Sequence, residues 1–211
     1  MSLDDYLRRF GDHRRVTLVG PVPPGPADPR AVEEPVIWVD GGTDHRRRAG
    51  RGKWGFAVGD GDSSRETLDQ YLAVDKDYSD LAYILGRLPE RFVEVVLLGF
   101  LGARRDHELF NLGEVHHFLA AAKTPTQVRF DDSLAVYSAG EWTFETHGTF
   151  SLAVFAATTV KLAGACQFPI PTPTEIAPLK SLGLSNRGFG EITLATGGPA
   201  FIFKPQYNQA P

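Results

Sequence analysis

The chain has 211 residues, which at about 150 residues per domain suffices for one large domain or two small ones. Its apolar share of 42% and charged share of 23% are those of a globular protein and exclude wholesale disorder. The formal net charge of −4 argues against a sequence-independent nucleic-acid binder, which needs a basic surface.

The cysteine content and the start of the chain bear on the compartment. The single cysteine, Cys166, excludes an internal disulfide and a cysteine-based zinc cluster. No apolar run approaches the ~20 residues of a membrane span, and the N-terminal residues lack the basic and apolar stretches of a signal peptide. We therefore expect a cytoplasmic protein that binds neither nucleic acid nor a membrane.

The first half of the chain alternates short apolar runs with helical patterns. A short amphipathic helix is predicted within residues 2–13, a second from Ser79, which is suited to cap it, and a third over about 108–122. Apolar runs at 16–19, 36–39, 56–58 and 93–98 predict strands, whereas 68–74 is ambiguous. Strands that are apolar throughout and alternate with helices indicate a mostly parallel sheet covered on both faces.

The second half is rich in short β-type runs. They cover residues 127–130, 134–138, 142–145, 150–155, 158–162, 191–195 and 200–203. Such spacing predicts an antiparallel β-sandwich. The predicted organisation is thus an α/β domain over residues 1–125 and a β-sandwich domain over residues 126–211.

Polar loops follow several of the predicted parallel strands. One loop begins with Asp40-Gly41-Gly42, and another is Gly59-Asp60-Gly61-Asp62-Ser63. A third begins at Gly99, after the strand at 93–98, and leads to Arg104, Asp106 and His107. Ligands of open parallel sheets bind beyond the carboxyl ends of the strands. This convergence of polar loops is the main functional signal in the sequence.

The Asp60 and Asp62 carboxylates lie two residues apart, which places them on one side of an extended segment. Paired carboxylates suit a hard divalent cation such as Mg²⁺, commonly bound together with nucleotide phosphates. Because Gly-Asp pairs are also frequent in surface turns, a turn without a metal remains an alternative. Asp80, in the first turn of the predicted helix, likewise has a capping role as its alternative.

Basic residues near these loops have alternative roles as well. Arg104 suits a phosphate because its planar guanidinium donates paired hydrogen bonds. His107 is either a base or a structural hydrogen-bonding residue, and the run Arg46-Arg47-Arg48 is either a solvated surface or a clamp over a polyphosphate. The Gly-x-x-x-x-Gly-Lys-Ser/Thr run of P-loop kinases is absent, and so is a dinucleotide-binding Gly-x-Gly-x-x-Gly after the first strand.

Taken in order, these motifs resemble the thiamine pyrophosphokinase family over roughly residues 36–203. The similarity runs through Asp40-Gly41-Gly42, the Gly59–Ser63 loop, Asp77-Tyr78-Ser79-Asp80 and the Gly102–His107 segment, and ends in the β-rich half at Leu184-Ser185-Asn186. The chain departs from the family pattern at Gly61, where a bulky apolar residue is common, and at Gly20-Pro21 after the first strand.

The resemblance implies a fold, a reaction and a set of site residues. The fold is a nucleotide-binding α/β domain followed by a β-sandwich, working as a homodimer with its active site at the subunit interface. The reaction is transfer of a diphosphate group from ATP to the hydroxyl of thiamine, with Mg²⁺. The resemblance matches Asp60, Asp62 and Asp80 to the positions that bind the metal and the ATP phosphates. It matches the nucleotide-binding loops to Asp40, Gly41, Gly42, Ser63, Arg104 and His107. Asp106 matches a position in the cleft between ATP and substrate, and Ser185 and Asn186 match the loop that contacts thiamine.

Two alternatives to this reaction stay open. A diphosphotransferase of the same fold would act on another hydroxylated heterocycle, and a non-catalytic sensor would bind the nucleotide or thiamine without turnover. In either transfer reaction a carboxylate near the hydroxyl would orient it or accept its proton, and Asp80 and Asp106 are the candidates for that role.

Overall fold

The structure is a computed structural model that describes residues 1–23, 34–48 and 55–204, with the side chains of Arg47 and Arg48 outside the description. No helix among these residues is long and apolar enough to cross a membrane. The chain divides into two compact units. The first comprises Met1–Phe118 with Val128–Asp131, and the second comprises Leu119–Gln127 with Asp132–Pro211.

The first unit is an α/β unit, as the alternating patterns predict. Its elements in chain order are α1 (Leu3–Arg8), β1 (Arg15–Val19), β2 (Val36–Val39), α2 (Thr43–Arg48), β3 (Phe56–Gly59), β4 (Gln70–Tyr71), α3 (Asp80–Leu85), β5 (Glu94–Leu98), α4 (Arg105–Ala120) and β6 (Gln127–Phe130). A 3-10 turn, Asp40–Gly42, connects β2 to α2. The ambiguous segment 68–74 contains the short strand β4.

The sheet of the first unit has the strand order β6-β5-β1-β2-β3-β4. β5, β1, β2, β3 and β4 pair in parallel, which confirms the predicted sheet type. Val19 at the end of β1 lies opposite Trp38 of β2 and Leu98 of β5. Because parallel strands end at one edge, the loops after β1, β2, β3 and β5 meet there.

Helix α1 packs against this sheet through a buried face formed by Leu3, Tyr6 and Leu7. The Tyr6 hydroxyl accepts a hydrogen bond from the Val36 amide at 3.0 Å and donates one to the Val36 carbonyl at 3.1 Å. Burial of the ring and hydroxyl raises the pKa of Tyr6 to about 12. The hydroxyl thus stays protonated and satisfies both backbone groups of Val36 inside the core.

The second unit is built from antiparallel strands. They are β7 (Leu134–Tyr137), β8 (Gly140–Ala153), β9 (Thr158–Cys166), β10 (Ile170–Ile176), β11 (Asn186–Thr196) and β12 (Ala200–Phe203), in the order β10-β9-β11-β8-β12-β7. A second 3-10 turn, Ser181–Gly183, precedes β11. The strands enclose an apolar core that includes Phe144, Phe150, Leu162 and Ile192.

Two predictions for this half of the chain were wrong in detail. The segments 142–145 and 150–155 were expected as separate strands, but most of this stretch is the single strand β8, which pairs with β11 up to Phe150 and with β12 beyond it. Strand β10 was missed because its two prolines are typical of loops. It lies at the edge of the sheet, where a residue without an amide hydrogen is tolerated.

Candidate active site

A cavity of about 490 Å³ lies at the carboxyl edge of the parallel sheet, within the first unit. It is bordered by Pro21 and Val22 after β1 and by Gly99 and Phe100 after β5. β2 and β3 extend the sheet on one side of β1, and β5 pairs on the other side, so the crossovers reverse direction between β1 and β5. Ligands of open parallel sheets bind at this switch point.

Three carboxylates lie together at this edge. Asp40 follows β2, and Asp60 and Asp62 follow β3; one carboxylate oxygen of each lies within 4.8 Å of the other two. Asp40 adopts φ 45°, a left-handed conformation that Asp tolerates better than most residues. Its Oδ1 accepts a hydrogen bond from the Gly61 amide at 2.9 Å, which joins the loops after β2 and β3.

Gly61 is required by this loop geometry. Its φ is +83°, a region that costs a residue with a Cβ about 1–2 kcal/mol, and an added Cβ would lie 3.1 Å from the Tyr71 ring. The next two residues are fixed by short contacts. The Asp62 amide donates to Asp60 Oδ1 at 3.2 Å, and the Ser63 hydroxyl donates to Asp62 Oδ1 at 2.7 Å.

Burial and charge affect the carboxylates differently. Asp40 is only 9% exposed, and burial raises its pKa, with a further contribution from the nearby Asp62 charge. Burial also acts to raise the pKa of Asp60, but hydrogen bonds from Lys76 and from the Asp62 amide outweigh it and lower the pKa. In the absence of a cation, Asp40 is therefore a buried charge beside other negative charges.

The donor set fits a hard divalent cation. Asp40, Asp60 and Asp62 offer only carboxylate oxygens, the ligand type that Mg²⁺ prefers, and no sulfur or imidazole ligand belongs to the group within the described residues. The cation would relieve the repulsion that the three side chains share. The predicted metal residues Asp60 and Asp62 lie in this group, whereas Asp80 does not; Asp40 joins it instead.

Asp80 faces an ammonium group. Lys76 Nζ lies 3.0 Å from Asp80 Oδ1 and 2.7 Å from Asp60 Oδ2, and only 6% of the Lys76 side chain is exposed. Burial raises the pKa of Asp80, while the Lys76 hydrogen bond opposes this rise. Ser79 precedes Asp80 and caps α3 as predicted, because its hydroxyl accepts from the Ala82 amide at 3.0 Å.

Lys76 is the residue that sequence reasoning missed. Its only signals were its place between Asp75 and Asp77 in a loop after a strand, and its spacing of four residues from Asp80. Neither reveals the contact with Asp60, which is 16 residues away along the chain.

The two glycines after Asp40 are not among the residues that line the cavity. Gly42 packs so closely on the end of β1 that an added Cβ would lie 2.0 Å from the Val19 carbonyl oxygen, and the Cβ of a residue at Gly41 would lie 3.1 Å from Pro21. Gly42 therefore needs glycine for close packing, and a side chain at Gly41 would require its neighbours to shift slightly. Their assignment to nucleotide binding stays a prediction.

Arg104 in the loop before α4 and His107 in the first turn of α4 line the cavity wall. Arg104 is 68% exposed and pairs with the Asp106 carboxylate at 2.5 Å. The hydrogen bond from Arg104 lowers the pKa of Asp106 to about 2. Asn111, one turn further along α4, donates to the Phe100 carbonyl at 2.9 Å and so fixes the loop beside the cavity.

Ser185 and Asn186 lie in the second unit. Ser185 is exposed with φ 59°, and its amide donates to Ser151 Oγ at 3.0 Å. The Asn186 side chain is buried and bridges to the backbone of Phe168, as acceptor from the amide at 3.0 Å and donor to the carbonyl at 2.8 Å. Asn186 thus holds the adjacent loop, and its predicted contact with thiamine is untested.

In the run Arg46-Arg47-Arg48, Arg46 has a structural role. Arg46 is 8% exposed, donates to the Gly55 carbonyl at 3.0 Å and lies 3.4 Å from the Asp69 carboxylate. This buried position excludes Arg46 from a mobile clamp. The side chains of Arg47 and Arg48 lie outside the described part of the chain.

Comparison with solved structures gives full-length similarities at low identity. The thiamine pyrophosphokinase from Bacillus subtilis matches with a TM-score of 0.71 and 21% identity, covering 92% of this chain and 100% of its own. The chain has the fold of thiamine pyrophosphokinases. The enzyme from Geobacillus thermodenitrificans matches with a TM-score of 0.69, 21% identity and coverages of 93% and 100%. The enzyme from Candida albicans matches with a TM-score of 0.67 and 11% identity, covering 93% of this chain and 89% of its own.

Comparison of the sequence with protein-family models and with curated proteins gives no match. The likeness to thiamine pyrophosphokinases is therefore one of fold.

Proposed function

We propose that this chain is a thiamine pyrophosphokinase, which transfers the diphosphate group of ATP to the hydroxyl of thiamine and releases AMP. The observation that carries the proposal is the group of Asp40, Asp60 and Asp62 beside the cavity at the switch point of the parallel sheet. The shared fold makes this reaction the best-supported use of that site.

In this proposal Asp40, Asp60 and Asp62 hold one Mg²⁺ ion. The ion supplies neutralisation of the phosphate charge when it is bound together with ATP. The protein's part is to keep the three carboxylates converged, through the hydrogen bond from Gly61 to Asp40 and the hydroxyl of Ser63 on Asp62.

The transfer step needs positioning and a proton acceptor. The thiamine hydroxyl oxygen bonds to the β-phosphorus, the bond from that phosphorus to the α,β-bridging oxygen breaks, and AMP leaves. The hydroxyl proton passes to a carboxylate. Asp80 suits this role better than Asp106, because Asp80 lines the cavity and burial raises its pKa. Asp106, by contrast, is not among the residues that line the cavity.

We propose that Arg104 and His107 bind the ATP phosphates. Both residues line the cavity and lie at the N-terminal end of the 16-residue helix α4, where anions are stabilised. The exposed Arg104–Asp106 pair costs little to break, since such pairs contribute about 0–1 kcal/mol. Phosphate oxygens can therefore replace Asp106 as the partner of Arg104.

The remaining assignments follow the resemblance. We propose that residues 1–125 form the nucleotide-binding domain and residues 126–211 a β-sandwich domain that contacts thiamine through Ser185 and Asn186. A homodimer with its active site at the subunit interface, working in the cytoplasm, completes the proposal.

The direct test is incubation of the pure protein with ATP, Mg²⁺ and thiamine, followed by chromatography of nucleotides and thiamine esters. AMP and thiamine diphosphate in equal amounts are the expected products. AMP formation only with a different hydroxylated heterocycle would shift the proposal to another acceptor. Saturable binding of ATP or thiamine without any AMP would mean a sensor rather than an enzyme.

A substitution at Asp62 tests the metal role. Asp62→Asn should lower turnover at least about a hundredfold, since even indirect disturbance of a metal ligand costs 10–100-fold. Asp62 is exposed and its Ser63 contact can persist with Asn, so the melting temperature in chelator should not fall below the wild-type value. Asp75→Asn, an exposed carboxylate outside the cavity wall, is the matched control and should retain activity.

A further inference from the structure

Lys76 lies on the cavity wall, and only 6% of its side chain is exposed to solvent. Its Nζ contacts Asp60 Oδ2 at 2.7 Å and Asp80 Oδ1 at 3.0 Å, and the two carboxylates are themselves only 15% and 14% exposed. A lysine this buried is rare unless it is paired, and here two carboxylates pair with it. The ammonium therefore occupies the space between Asp60 and Asp80.

Asp60 takes part in two groups at once. One is the ion pair with Lys76, and the other is the carboxylate group that it forms with Asp40 and Asp62. In two-metal enzymes the ions lie about 3.5–4 Å apart and act together on the reacting phosphate. Here three carboxylates surround one such position and two, Asp60 and Asp80, surround the Lys76 ammonium, with Asp60 common to both.

We propose that Lys76 is a built-in cation that takes the second metal position, so that the acidic edge of the sheet binds one divalent ion rather than two. The inference rests on the proposed function only for the role of that ion in phosphate chemistry. Lys76 is thus a positioning residue, which holds Asp60 and Asp80 in place before any metal or nucleotide binds.

The charge of the site supports a single ion. Asp40, Asp60, Asp62 and Asp80 with the Lys76 ammonium leave three negative charges, and one divalent ion reduces them to one. Without the ammonium, two divalent ions would be needed to neutralise the four carboxylates. A tethered ammonium also differs from a metal ion in that it cannot dissociate, so the second position is filled at every metal concentration.

The test is titration of the full chain with Mn²⁺ as probe, in the absence of nucleotide, with free Mn²⁺ counted by electron paramagnetic resonance. The wild-type protein should bind one ion. Lys76→Gln should bind two, and the first should bind at least about tenfold more tightly because a nearby positive charge has been removed. Lys76→Arg keeps the charge and should bind one ion.

A double variant makes the assignment specific to the Asp60–Asp80 position. Lys76→Gln combined with Asp80→Asn removes the ammonium and one of its two carboxylates, and should bind one ion again. The double variant loses one positive and one negative charge, so the net charge of the site is that of the wild-type protein. It therefore still tests the inference if the single variant Lys76→Gln does not fold without metal.

Three results would overturn the inference. Lys76→Gln could bind one ion with a dissociation constant within twofold of the wild-type value. The wild-type protein could bind two ions of similar affinity, a result that needs no variant. Absence of Mn²⁺ binding to the wild-type protein would overturn both this inference and the metal site of the proposed function. By contrast, one bound ion without thiamine turnover would overturn the proposed reaction alone.

Discussion

Asp40 is expected to reduce the stability of the metal-free protein, because its charge is buried beside other carboxylates. We predict that Asp40→Asn unfolds at a higher temperature than the wild-type protein when chelator is present. The same substitution should remove the binding of divalent cations. A stability gain at the expense of function is the usual pattern for a residue that serves a site rather than the fold.

The magnitude follows from the distances in the acidic group. One oxygen of Asp40 lies within 4.8 Å of oxygens of both Asp60 and Asp62. At that separation two like charges repel by about 1 kcal/mol in water and by roughly 3–4 kcal/mol at an effective dielectric constant of 20. Hydrogen bonds from the Gly41 and Gly61 amides offset part of this repulsion.

The net gain from Asp40→Asn should therefore be about 1 kcal/mol, or about 2–4 °C in melting temperature for a chain of this length. Asparagine preserves the geometry, because it tolerates a φ of 45° and its Oδ1 can accept the same amide hydrogen bonds. Alanine would lose both properties and is not an equivalent test.

The gain should depend on pH with a definite sign. The pKa of Asp40 in the folded protein is raised above the ordinary value of 3.8, so the folded state takes up the proton at a higher pH than the unfolded state. The wild-type protein therefore gains stability as the pH falls through the raised pKa. The advantage of Asp40→Asn should be complete at pH 8 and should shrink as the acidic range is approached.

The assay is thermal unfolding followed by circular dichroism, at pH 8 with chelator and again with excess Mn²⁺. Saturation at a hundred times the dissociation constant stabilises the wild-type protein by about 2.7 kcal/mol and should leave Asp40→Asn unchanged, so the order of stability reverses. Asp12→Asn, an exposed carboxylate in the same unit, is the control and should show neither effect. A melting temperature of Asp40→Asn at or below that of the wild-type protein in chelator at pH 8 would refute the reasoning.

Two further substitutions test the supports of the site. Tyr6→Phe should lower the free energy of unfolding by about 2 kcal/mol, since both buried backbone groups of Val36 lose their hydrogen bonds to the hydroxyl. A loss below about 0.5 kcal/mol in urea unfolding would contradict this. Gly61→Ala should cost about 1 kcal/mol because of its φ of +83° and should weaken Mn²⁺ binding by displacing the amide that holds Asp40. Unchanged Mn²⁺ affinity in Gly61→Ala would show that this hydrogen bond does not position the carboxylate.

The carboxyl ends of the strands were predictable because two local signals coincide there. Each of these strands is an apolar run with glycine or aspartate at its end or directly after it, and the parallel arrangement follows from the alternation with helices. These two facts alone place Asp40, Asp60 and Asp62 at one edge. Order along the chain thus sufficed to bring together residues that are up to 22 positions apart.

Local patterns failed where pairing partners override residue preference. The prolines of β10 argue against a strand, but the strand lies at the sheet edge and both prolines fall where its pairing with β9 shifts register, between Ile170 and Thr174. Likewise, the polar residues between Phe144 and Phe150 suggested a loop between two separate strands. They belong to one strand because β11 pairs with it continuously from Gly140 to Phe150.

The role of Lys76 depends on how two loops meet rather than on any spacing along the chain. The Asp60 loop follows β3, whereas Lys76 follows β4, and the parallel pairing of β3 with β4 brings both to the same edge. Strand β4 is only two residues long, too short to be predicted from its sequence pattern. A lysine in a loop of unassigned structure is indistinguishable from a solvated one until that strand is known. Residues that complete an acidic site can therefore be sought beside short edge strands next to the strands that bear the carboxylates.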